Sequence, residues 1–153
     1  MTAVDDVIRA LVIMANTALS SWQVLDGDTG LDLQDRTLLI GFDPVQGTPI
    51  ATSSIDEDDG GICALLETIT VSCTAAAFDG NAEFRKKRAD VVAALTALRA
   101  ALAADQKLGG IAYDAWLAPT AQWYQQIYPA TSDGPERISV QADFSITVRV
   151  YAE

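Results

Sequence analysis

The sequence predicts an α+β domain: a mainly antiparallel sheet with an N-terminal helix and one long central helix packed on one of its faces. Three observations predict it. Residues 66–78 and 137–151 alternate apolar with polar side chains, the period of a strand with one buried face, over far more than the usual five or six residues. Residues 4–19 and 82–105 instead place apolar residues at helical spacing. The segments also come in blocks (helix, strands, long helix, strands) and lack the strict alternation that builds a parallel sheet. With 153 residues, half of them hydrophobic, the chain can bury one good core, so residues 1–153 are expected to form a single domain.

In chain order, Val4, Ile8, Leu11, Ala15 and Leu19 recur on one face and predict an amphipathic first helix. A short strand, Trp22 to Leu25, follows, and DGDTGLDLQD then makes a turn and a loop. Thr37 to Phe42 reads as a second strand. Pro49 to Ile55 reads as a third, placed on an edge by its proline, which cannot donate to a ladder.

The fourth strand, Leu66 to Phe78, ends at the turn pair Asp79 and Gly80, and Asn81 can cap a helix over 82–105 that the LGG of Leu108, Gly109 and Gly110 closes. Along that helix Val91, Leu95, Leu98 and Leu102 stack on one side, while its many alanines allow close approach of a neighbour. Its first turns carry Arg85, Lys86, Lys87 and Arg88, where the macrodipole would prefer acids. A solvated face explains such a run; the functional alternative is contact with an acidic surface on another subunit.

Ile111 to Leu117 and Ala121 to Tyr128 are expected strands rich in aromatics, read as core or cross-strand pairs. In the last strand Ile138, Val140, Ala142, Phe144, Ile146, Val148 and Val150 share one face. Strands as long as the fourth and the last are expected to protrude and offer edges to another subunit.

One motif invites a metal. In IDEDDGGICALLE, Asp56, Asp58, Gly61 and Glu67 fall at positions 1, 3, 6 and 12 of a calcium loop, but Gly60 stands where an oxygen ligand is wanted. The flanks read as strands, whereas that loop needs a helix on each side. An acidic hairpin loop of Asp56, Glu57, Asp58 and Asp59 is therefore the favoured reading, with neither metal nor cofactor expected.

Charge and composition narrow the function classes. The net charge of −11 lies entirely in residues 1–82, where thirteen acids face Arg9 and Arg36; residues 83–153 hold eight acids and eight bases. Such a surface repels phosphates and argues against a stable grip on nucleic acid. With no histidine, the chain lacks the commonest general base and the usual partner of a Ser or Cys nucleophile, so no catalytic residue is expected. Cys63 and Cys73 have no metal-site spacing, and Cys73, in phase with an apolar face, is expected as a buried thiol. No stretch approaches the apolar length of a membrane span, and Asp5 and Asp6 stand where a secretory signal would carry positive charge. Synthesis and folding in the cytoplasm are expected.

The order of an N-terminal amphipathic helix, WQVLDG, LLIGFDP, ETITVSCTAAAFDG leading into an Arg-rich Ala/Leu helix, KLGG and a final FSITVRVYAE strand resembles the tail terminator proteins of long-tailed phages that infect actinobacteria. The likeness covers nearly the whole chain through motifs that are individually soft; Trp123 to Glu136 fits least well. It implies a structural virion protein at the tail–head junction, made in the host cytoplasm: a homo-oligomeric ring, typically a hexamer, that ends the tail tube and presents a surface to the head-side connector while DNA passes through unbound. Under it Gly80 permits the turn into the long helix and Leu108, Gly109 and Gly110 end it, both structural roles, while the acidic loop lies at a channel or an interface. The alternatives are a head-closure or other connector protein of the same assembly, a small acidic inhibitor or immunity-type protein, and a carboxylate-metal enzyme built on Asp56, Asp58 and Glu67.

Overall fold

The computed structural model describes residues 3–27, 34–41, 49–56, 66–79, 83–132, 134 and 136–151. They form an α+β fold of two helices and a seven-stranded, mostly antiparallel sheet. The elements are α1 (Val4–Ala18), β1 (Gln23–Asp26), β2 (Arg36–Ile40), β3 (Ala51–Asp56), β4 (Leu66–Asp79), α2 (Phe84–Ala104), a 3₁₀ turn at Leu108–Gly110, β5 (Asp114–Leu117), β6 (Gln122–Tyr128) and β7 (Arg137–Tyr151).

The two long strands form the centre of the sheet. β4 and β7 pair antiparallel from Leu66↔Tyr151 to Asp79↔Ile138, and each has its other side taken by two short strands in tandem. Along β4 these are β2 and β3; along β7, β5 and β6. The long strands therefore do not protrude as free edges, contrary to expectation, because a strand of this length can pair with two short ones end to end. Among the described residues the free edges belong to the short strands. β3 lies on an edge, as its flanking proline predicts, and β1 adds to β2 in the sheet's one parallel pair among the described residues.

Strand pleat decides which side is buried. Ile69, Val71, Cys73, Ala75 and Ala77 stand opposite Val148, Ile146, Phe144, Ala142 and Val140, all buried on one face of the sheet. Both helices contribute to the same core, α1 through Val7, Ile8, Leu11 and Ala15 and α2 through Val91, Ala94, Leu98 and Leu102. Fully burying a leucine or valine in this way stabilises the fold by about 1.5–3 kcal/mol. α1 is helped by Asp5 and Asp6 in its first turn, which complement the helix dipole. Gly41, just after β2, has φ +71°, and a Cβ there would lie 3.2 Å from Cδ1 of Ile8, so glycine both permits the turn and lets α1 approach the sheet.

The opposite face carries Thr68, Thr70, Ser72 and Thr74 of β4 beside Arg149, Thr147, Ser145 and Asp143 of β7, most of them half-buried. Asp143 accepts a hydrogen bond from Thr74 Oγ1 at 2.9 Å, which ties the two central strands together on this polar side, and another from Gln141 Nε2 of its own strand at 2.8 Å.

Candidate functional site

Of the acidic loop, Asp56 closes β3, while Glu57, Asp58 and Asp59 lie outside the described residues. The calcium-loop frame is carried by two antiparallel strands: Asp56 pairs with Leu66, and Glu67 sits in β4 opposite Ile55. Strands rather than helices therefore flank it, which removes the geometry a calcium loop needs. Glu67 is 2% exposed, and its Oε1 has no hydrogen-bond partner. Among the described residues no three His, Cys, Asp or Glu side chains converge as a metal site would require.

The basic run divides. Arg85, Lys86 and Arg88 are exposed, and Arg88 Nη1 donates to Gln125 Oε1 of β6 at 3.1 Å. Lys87, by contrast, is only 5% exposed, with Nζ 4.0 Å from Oδ2 of Asp90. Arg36, at the start of β2, places Nε 3.8 Å from the same carboxylate oxygen. This corrects the expectation that all four charges face solvent or a partner subunit: Lys87 is committed within the chain. The sequence holds the reason, since Lys87 lies in phase with Val91, Ala94, Leu98 and Leu102 on the sheet-facing stripe of α2.

The expected helix-ending role of Leu108, Gly109 and Gly110 is also revised. α2 ends at Ala104, with Asp105 as its C-cap, and the LGG forms a separate turn beyond it. Gly109 and Gly110 have φ of +70° and +101°, which glycine adopts without strain. Asp105 Oδ2 accepts the Gly109 N–H at 2.9 Å, and Leu108, itself at φ +48°, buries its side chain in the core. Gly80 lies outside the described residues.

Cys73 is a buried free thiol, and burial pushes its pKa from the ordinary 9.0 up to about 12. Tyr113, Trp116, Trp123, Tyr124 and Tyr128 are exposed and lie outside the core, so of the two expected readings the cross-strand one applies: they sit on or beside β5 and β6, which both pair with β7. At β5, Arg149 forms a two-pronged pair with Asp114, with Nε donating to Oδ1 at 2.7 Å and Nη2 to Oδ2. Its guanidinium carbon lies 5.5 Å and 5.4 Å from the ring centroids of Tyr113 and Trp116. Tyr113 in turn meets Tyr151 edge-on at 5.5 Å. The cross-strand pairing of Asp114 with Arg149 brings these groups together, and no spacing in the sequence signals that pairing.

Two surfaces stand out. β6 has all seven residues exposed, with Trp123 at 42%, Tyr124 at 49%, Ile127 at 53% and Tyr128 at 47%. Between α1 and the end of α2 runs an apolar groove of about 610 Å³, lined by Ala10, Ile13, Met14, Ala101, Ala104 and Ile111 among others. No helix among the described residues is long and apolar enough to cross a membrane. Comparison with known protein families finds no match to this chain, and comparison with curated proteins finds none either.

Proposed function

We propose that the chain is a structural protein of the phage tail–head junction, a tail terminator whose copies form a ring, typically of six, at the end of the tail tube and beneath the head-side connector. The observation that carries this reading is the uncharged margin of the sheet at β6, where four large apolar or aromatic side chains stand 42–53% exposed. An apolar sheet edge of this kind is a template for another chain, and a protein that works alone blunts such edges. The resemblance of the chain's segment order to tail terminators supplies the identity of the assembly. The concentration of all net charge in residues 1–82 gives each copy an acidic half, which repels DNA phosphates during passage rather than holding them.

Electron microscopy and sedimentation of the purified protein test the reading, together with its binding to isolated tail tubes and to DNA-filled heads. Rings that cap tail tubes support a terminator. Capture by heads alone favours a head-closure protein instead. A monomer or dimer that binds neither, with or without tail tubes present, abandons the virion reading in favour of a small acidic inhibitor.

A further inference from the structure

We propose that β6 is the strand through which copies of this chain join, its free edge adding to β1 of the next copy so that the sheet continues from subunit to subunit. The inference deepens the ring reading above and rests on it. Across its wider end the sheet runs in the order β1, β2, β4, β7, β6, and among the described residues neither β1 nor β6 has a second strand neighbour. These two edges bound one row, so joining the last strand of one copy to the first strand of the next is a head-to-tail contact. Such a contact closes into a ring when the rotation between copies allows it.

The strand directions suit that contact. β1 runs parallel to β2, β2 antiparallel to β4, β4 antiparallel to β7, and β7 antiparallel to β6, so β1 and β6 point in opposite directions. Copies rotated about an axis along the strands keep those directions. β6 therefore meets the neighbouring β1 antiparallel, the arrangement with the straighter, slightly stronger hydrogen bonds.

The chemistry of the two edges is complementary. From Gln122 to Tyr128, β6 contains no charge, glycine or proline, and so lacks the devices that keep an edge strand from pairing. Three arginines surround it: Arg88 bonded to Gln125, Arg99 lining a groove with Trp123, and Arg137 paired across the ladder with Tyr128. β1 belongs to the half of the chain that holds thirteen acids against two bases, and it ends in exposed Asp26. An arginine-flanked edge in a chain of net charge −11 finds its opposite charge in the acidic half of another copy. The other end of the sheet offers no such match, because the four-residue β5 engages its own arginine through Asp114.

The test is the mass of the assembly by analytical ultracentrifugation for wild type, for Ile127→Lys with Tyr128→Lys, and for Ile13→Lys as an exposed apolar site away from β6. In parallel, a benzophenone side chain is placed at Tyr124 in the otherwise wild-type protein and photo-crosslinked. The expected result is a wild-type ring, an Ile13→Lys ring, and a double variant that runs as single 16.3 kDa chains with an unchanged circular dichroism spectrum and melting curve. The crosslinked peptide should contain Gln23 to Asp26 of another copy. A double variant that still forms rings of wild-type mass overturns the β6 interface and leaves the ring reading standing. A crosslink to any other segment overturns the pairing with β1, and decides the matter even if the double variant fails to fold. A wild type that stays monomeric, alone and on tail tubes, overturns the ring reading and this inference with it.

Discussion

Phe144 lies near the middle of β7, 6% exposed, opposite Cys73 of β4, which is itself opposite Ile40 of β2. Replacing it with alanine removes a ring from the centre of the sheet's buried face. A buried Phe hides on the order of 150–200 Å², and at about 25 cal/mol per Å² that is worth about 4–5 kcal/mol, part of which alanine's own methyl retains. The cavity left among backbone-fixed neighbours adds to the loss, so Phe144→Ala should cost about 3–5 kcal/mol. For a domain of this size the melting temperature should fall by about 9–15 °C, taking about 3 °C per kcal/mol. Urea denaturation followed by circular dichroism measures the free energy directly, with the slope against denaturant expected to stay near that of wild type. Ser145, the next residue, faces the polar side of the sheet, so Ser145→Ala should move stability by no more than about 0.5 kcal/mol. A Phe144→Ala protein melting within a degree or two of wild type, or one no worse than Ser145→Ala, would refute the assignment of faces on β7.

The remaining predictions concern single groups. Cys73, with its pKa raised to about 12 by burial, should resist thiol reagents at pH 8 in a Cys63→Ser background and react only on unfolding; rapid native labelling would place it at the surface. Its folded pKa exceeds the unfolded value of 9.0, so its contribution is fully present below pH 9 and is lost as pH rises toward about 12. Wild type should accordingly lose stability over that window faster than Cys73→Ala. Lys87→Glu, which sets a buried like charge beside Asp90, should destabilise by about 3 kcal/mol, whereas Lys86→Glu should stay within about 0.5 kcal/mol; equal effects would mean that Lys87 is solvated. A double-mutant cycle on Asp114 and Arg149 should show coupling of about 1 kcal/mol, modest because the guanidinium is partly exposed, and additivity would dismiss the pair. Calcium titration should show no site near micromolar affinity; such a site, lost in Glu67→Gln, would restore the calcium-loop reading of residues 56–67.

Elements whose signal is local were legible in the sequence. The faultless alternation of 137–151 fixes both the strand and its buried face, because side chains on a pleated strand point to opposite sides in turn. The same rule placed Cys73 inside, and helical spacing located α1 and the stripe of α2. The flanks of the acidic loop read correctly as strands because proline and alternating threonines exclude helix there. Lys87 was legible in principle through its phase with Val91, but its membership of a charged run concealed it.

What the tertiary structure alone decided is partnership between distant segments. A strand's pattern says which face is buried but not which strand lies beside it, since backbone hydrogen-bonding groups are the same in every residue but proline. Nothing in 66–79 or 137–151 announces that these two pair along fourteen residues and share their outer sides among four short strands. The sequence therefore placed the free edges on the long strands, whereas among the described residues the fold gives them to short strands, β1 and β6 among them. Arg149 meets Asp114 from 35 residues away, and Arg36 meets Asp90 from the other half of the chain, for the same reason. Local pattern fixes orientation, whereas adjacency is settled only when all the apolar faces compete for one core.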